Sequence, residues 1–138
     1  MNIENNIKTL FVKKPLKLDC GKTINDFPIA YETYGSLNEK KDNAILVFHA
    51  LTGDQFVTGL NPITKKEGWW SYAVGPDKAI DTKKYFVICS NVIGGCMGSF
   101  GPSHIDPHTG KVFGTNFPIL TINAVSYTHL RAHETVHH

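Results

Sequence analysis

The chain has 138 residues, sets 14 Lys plus Arg against 12 Asp plus Glu for a formal net charge of +2, and is 41% apolar and 19% charged. Such proportions fit one small domain or a piece of a larger one and exclude wholesale disorder. A charge this balanced does not supply the concentrated basic stripe of a nucleic-acid interface, and no apolar run approaches the roughly 18 residues of a membrane span. The polar start, MNIENNIKTLFVKKPLKL, lacks the apolar stretch of a signal peptide. Cys20, Cys89 and Cys96 therefore read as free thiols of a cytoplasmic protein rather than as a disulfide framework.

Residues 8–18 alternate apolar and basic positions, and Pro15 demotes the run to an edge or bulged strand. Cys20-Gly21-Lys22 supplies a turn, and FPIAYETY (27–34) is a second strand of period two; together they predict an antiparallel hairpin. AILVFHA (44–50) and YFVICSNV (85–92) are apolar blocks suited to strands covered on both faces, and are expected side by side and parallel in the centre of the sheet. The stretch between them holds Gly59, Pro62, Gly68, Gly75 and Pro76, so only short helices fit there, with Trp69 and Trp70 anchoring one of them. From Val92 to Pro118 the chain reads as a long Gly- and Pro-rich loop. A hairpin followed by two buried strands gives an α/β class with a mixed sheet.

Four segments carry candidate chemistry. His49-Ala50-Leu51-Thr52-Gly53-Asp54 follows a buried strand, where a tight turn presents backbone N–H groups at the ligand-binding end of an α/β sheet. Such an amide can hold a developing oxyanion; an ordinary strand-to-loop turn is the alternative. The loop 91–102, NVIGGCMGSFGP, lacks the Gly-Lys-Ser/Thr ending of a phosphate loop and reads as a pocket wall, with Cys96 an inert thiol because nothing local lowers its pKa. His104-Ile105-Asp106-Pro107-His108 has metal-ligand residue types, but Pro107 forbids a helical ligand face, and loop polarity explains it. His133-Glu134-Thr135-Val136-His137 matches the zinc-hydrolase pattern H-E-x-x-H, yet only His138 follows it, so no downstream third ligand is possible. No Gly-x-Ser-x-Gly nucleophile elbow occurs.

Composition changes abruptly near the C-terminus. All 13 lysines precede residue 123, whereas the single arginine, Arg131, and four of the seven histidines lie beyond it. Residues 1–122 are expected to form the folded unit, and residues 123–138 a non-native or disordered tail that packs on nothing. SYTHLRAHET resembles translated sequencing-adapter read-through.

The strings FPIAYETYGSLN (27–38), AILVFHALTGD (44–54), GWWSYAVGPDKAIDTKKYFVICSNVIGGCMGSFGPSHIDPHTGKVFG (68–114) and NFPILTI (116–122) resemble, in collinear order, the N-terminal part of the homoserine O-acetyltransferases, acyltransferases of the α/β-hydrolase fold. The resemblance implies a truncated α/β-hydrolase domain over residues 1–122. It also implies acetyl transfer from acetyl-CoA to L-homoserine in methionine biosynthesis, through an acyl-serine, in a homodimer without a metal or other cofactor. It places the backbone N–H of Leu51 in the oxyanion hole and makes Ala50, Leu51, Thr52 and Gly53 the turn that selects donor or acceptor. The Ser, Asp and His of the triad belong to the part of the family sequence that this chain does not match, so the fragment is expected to be inactive. A small zinc hydrolase using His133, Glu134 and His137, or a non-enzymatic ligand-binding module, are the competing readings.

Overall fold

The computed structural model of the protein describes residues 7–136, with side chains as far as Leu130. Lys8–Val12 (β1) and Phe27–Tyr34 (β4) pair antiparallel, Lys8 opposite Tyr31 and Val12 opposite Phe27. Between them Leu16–Lys17 (β2) and Thr23–Ile24 (β3) make a small antiparallel pair of their own. The expected run 8–18 is thus split at Pro15, which has no N–H for a ladder, and Gly21 turns the chain with φ 83°. Ala44–Val47 (β5) pairs parallel with Phe86–Ser90 (β8), and β8 pairs antiparallel with β4, for the order β1-β4-β8-β5.

The mixed sheet and its antiparallel start are as expected. The parallel neighbours are found as well, but only β8 is interior; among the described residues β5 is an edge strand, not a central one. Period-two alternation sorts the side chains. Ile45, Val47, Val87 and Cys89 turn to one face, where Val57, Val74 and the half-buried Trp70 meet them. Phe27 and Ile29 turn to the other and pack with Val12, Leu16, Leu18, Ile24 and Ile93.

The crossover from β5 to β8 contains no helix among its residues. It is a chain of turns around Val74–Gly75 (β6) and Ile80–Asp81 (β7), a short parallel pair. Trp69 and Trp70 lie in one of these turns and stack on each other, ring centroids 5.7 Å apart. A helix is blocked on both sides. The Cα of Gly68 is pressed so close to Thr58 that a Cβ would lie 2.4 Å from its N, and Asp77 takes φ 61° immediately after Gly75-Pro76.

The second departure is the C-terminal segment. Ile122–Val136 (α1) is a helix whose first half, as far as His129, lies on the sheet, so the expectation that the tail packs on nothing is corrected for these residues. Ala124 joins the core beside Leu120 and Tyr127, and Thr128 and His129 are buried. Thr121 and Asn123 donate to the Asp19 carboxylate at the start of the helix. The foreign composition hid a workable pattern, with Ala124, Tyr127 and Thr128 sharing one helical stripe at spacings of three and four. No helix among the described residues is long and apolar enough to cross a membrane.

Candidate active-site turn

At the carboxyl end of β5 the chain leaves the sheet through Phe48 and His49 into a turn closed by Gly53 N–H donating to Ala50 O at 2.8 Å. Leu51 sits at its tip, 92% exposed. Its N–H donates to no acceptor recorded among the described residues, as an oxyanion donor requires. His49 is buried beneath the turn. Its Nδ1 lies 2.7 Å from Ala50 O, its Nε2 accepts the Val92 N–H at 3.2 Å, and Asn91 Nδ2 approaches the same nitrogen at 3.4 Å. With donors aimed at Nε2 and a carbonyl facing Nδ1, the network fixes the neutral Nδ1–H tautomer.

The second loop leaves β8 at Asn91 and Val92, so the two sequence segments 49–54 and 91–102 do meet. A Cβ on Gly95 would lie 2.8 Å from Asn91 Oδ1, and one on Gly53 would lie 3.1 Å from the His49 Cβ. Both glycines are spaces that the packing uses. Asp54 caps the far side of the turn, accepting from Phe56 N–H at 2.8 Å and Asn61 Nδ2 at 3.1 Å. Gln55 is fully buried, donates through Nε2 to Met97 O at 2.9 Å and leaves Oε1 without a partner among the described residues; Asn91 Oδ1 is in the same position.

Ser99, in the middle of the Gly-rich loop, has a role that the sequence did not reveal. Asn91 N–H donates to Ala30 O at 2.8 Å, as the next rung of the β4–β8 ladder would. The return bond runs through a hydroxyl: Ala30 N–H donates to Ser99 Oγ at 2.9 Å, and Ser99 Oγ–H donates to Asn91 O at 2.6 Å. A side chain inserted into the ladder thus anchors the loop where the two strands part.

The remaining candidates are accounted for differently. Cys96, His104, Asp106 and His108 line one open groove of about 1770 Å³ beside β1 and β4, and no residue of the turn 49–55 borders it. His104 Nδ1 accepts the Gly101 N–H at 3.1 Å and Asp106 caps His108 N–H at 2.9 Å, so these side chains serve their own turns. No group of three or more His, Cys, Asp or Glu among the described residues is arranged for a metal. The side chains of His133 and Glu134, and all of His137, lie outside the described residues. Burial pushes the Cys89 thiol up to about 12, with the Asp54 carboxylate adding to the effect, so this cysteine is no nucleophile.

The structure also contains a Ser–His contact, Ser90 Oγ to His129 Nδ1 at 2.6 Å. Both residues are about 2% exposed or less, so no acyl donor reaches the hydroxyl. Burial, reinforced by His49, holds His129 down at about 4, and the pair is a neutral rivet between α1 and β8.

No family model matches the chain. It is 76% identical over 123 residues to the homoserine O-acetyltransferase of Pelagibacter ubique (strain HTCC1062), a match covering 89% of this chain and 33% of that protein. Over these residues the chain is a high-identity match to the homoserine O-acetyltransferases. It is also 62% identical over 109 residues to the homoserine O-acetyltransferase of Nitrobacter hamburgensis, covering 79% of this chain and 27% of the relative. The chain thus spans about a third of the length of the homoserine O-acetyltransferases it matches. Among solved structures, the homoserine O-acetyltransferase of Bacillus anthracis superimposes with a TM-score of 0.83 at 30% identity, over 95% of this chain and 36% of that one. Esterase E22 does so with a TM-score of 0.82 at 28% identity, over 95% and 37%. Both neighbours have the α/β-hydrolase fold, which the mixed sheet of this chain shares as a truncated part.

Proposed function

We propose that this chain is the oxyanion-side portion of an acetyltransferase that moves acetyl from acetyl-CoA to the hydroxyl of L-homoserine, a step of methionine biosynthesis in the cytoplasm. The observation that carries the reading is the turn after β5, which holds an uncommitted Leu51 N–H at the ligand-binding end of a parallel strand. In the whole protein a serine attacks the acetyl carbonyl, and the Leu51 N–H stabilises the oxyanion of each tetrahedral intermediate. The triad histidine takes the serine proton and gives it to the thiolate departing as CoA; it then takes the proton of the attacking homoserine hydroxyl and returns it to the released serine. Ala50, Leu51, Thr52 and Gly53 face this centre and discriminate between donors or acceptors. No metal or other cofactor takes part, and the complete protein works as a homodimer.

By itself the chain is inactive in this reading. Among the described residues Ser90 is the serine with a histidine partner, and it is sealed in the core. The test is a chimera in which residues 1–122 replace the matching part of the Pelagibacter protein, assayed for CoA release with homoserine present. Activity is expected from the chimera and none from the chain. Leu51→Pro, which deletes the N–H, is expected to lower turnover by ~100- to 1,000-fold. A folded, homoserine-binding Leu51→Pro chimera within about threefold of its parent, far less than a lost donor costs, refutes the assignment. The esterase neighbour favours a second reading, acetyl transfer to water. CoA release that is independent of homoserine would establish it.

A further inference from the structure

We propose that His49 is the positioning residue of this site: its neutral Nδ1–H tautomer clamps the 50–53 turn to the loop after β8 and so fixes the direction of the Leu51 N–H. The inference rests on the oxyanion reading above for its purpose but not for its geometry. The Leu51 side chain is in solvent and anchors nothing among the described residues. What can fix the amide is its neighbour, since the peptide plane between Ala50 and Leu51 contains both the Ala50 carbonyl and the Leu51 N–H. That carbonyl oxygen takes two donors, Gly53 N–H at 2.8 Å and His49 Nδ1–H at 2.7 Å. Holding the oxygen therefore holds the N–H that points the opposite way.

The imidazole can hold the oxygen only if it is itself held. Val92 N–H and Asn91 Nδ2 approach Nε2 from β8, and Gly53 and Gly95 leave the room that lets the ring and the Asn91 amide lie this close. The clamp thus transmits the position of the buried strand β8 to an exposed turn. It also requires a lone pair on Nε2. The opposite tautomer would point N–H at N–H on one side and a lone pair at a carbonyl on the other.

Two substitutions divide the ring into its halves. Asn places an amide N–H near the Nδ1 position, and Gln places a carbonyl near the Nε2 position. The experiment is nitrogen-15 NMR of the 138-residue chain and of its His49→Asn and His49→Gln forms. In the parent, the His49 ring is expected as the Nδ1–H tautomer, the minor form of free histidine. Amide exchange at Val92 is expected to rise about tenfold in His49→Asn, the loss of one hydrogen bond, and to stay within about threefold in His49→Gln, which keeps the acceptor. The heteronuclear NOE of Leu51 is expected to fall in both. A protonated Nε2 in the parent, or a Leu51 amide equally ordered in both variants, overturns the proposal. If neither variant folds, the tautomer in the parent still decides. None of these readouts needs turnover, so an inactive chimera would defeat the acetyl-transfer reading while leaving this one standing.

Discussion

Replacing Ser99 by Ala removes the one hydroxyl that bridges β4 and the start of the Gly-rich loop. The Ala30 N–H and the Asn91 C=O lose their partners together, and both residues are at most 2% exposed. An orphaned buried backbone group costs about 1–3 kcal/mol. The pair therefore costs about 2–6 kcal/mol, falling to about 2–4 kcal/mol where a water enters the space and restores part of the bonding. Set against the roughly 5–15 kcal/mol that holds an ordinary domain together, that is a large share. The assay is urea unfolding followed by the fluorescence of the stacked Trp69–Trp70 pair, with amide exchange at Ala30 as the local readout. The exposed Ser103→Ala serves as control and is expected within about 0.5 kcal/mol of the parent. A Ser99→Ala loss no larger than that of the control, with Ala30 exchange unchanged, would show that the ladder closes without the hydroxyl.

Gly35→Ala is expected to prevent native folding, because φ is 75° there and the new Cβ would lie 2.2 Å from Tyr85 O; a native-like circular dichroism spectrum would contradict this. Cys20 and Cys96 are exposed and Cys89 is buried with its thiol pushed up to about 12, so a thiol reagent at pH 8 should label two cysteines rapidly in the folded chain and three in denaturant. His129 is held at about 4 against 6.5 when unfolded. The unfolded state alone takes up that proton between the two values, so stability is full above about pH 7 and falls as the pH drops from 6.5 towards 4. His129→Gln should flatten this part of the urea-midpoint profile relative to the parent, and an unchanged slope would show that the rivet does not titrate as described.

Much of the sheet was legible in the sequence because the signal is carried by side chains that alternate. Phe27–Tyr34 is the strand its period predicts, and the apolar blocks around Val47 and Val87 are the parallel pair. Pro15 and Gly21 marked a break and a turn by their own backbone chemistry. What was not legible depends on partners far away in the chain. Ser99 is one small polar residue in a glycine run, and its two partners lie on Ala30 and Asn91. His49 was visible as part of a turn, but its acceptor role exists only because Val92 approaches from another strand. The packing of the C-terminal helix is hidden for a different reason. A shift in composition says nothing about whether three residues at helical spacing find a sheet to cover, and Ala124, Tyr127 and Thr128 do.

The strand order has a consequence for how the chain must assemble. β4 and β5 follow one another with only residues 35–43 between them, yet β8 separates them in the sheet, which leaves a gap of about 10 Å that neither can close alone. A hairpin of β4 with β5 is the contact the short connection makes easiest, and it is not a native contact. Any such pairing has to come apart before β8 can enter. The core of the sheet therefore waits for a segment some forty residues further along, and closing that loop costs entropy before any rung forms. Until Phe86–Ser90 is in place, the inner edge of β4 is bare and β5 has no partner in the sheet. Its two edges supply the partners of both β4 and β5, so both native ladders depend on the same short strand.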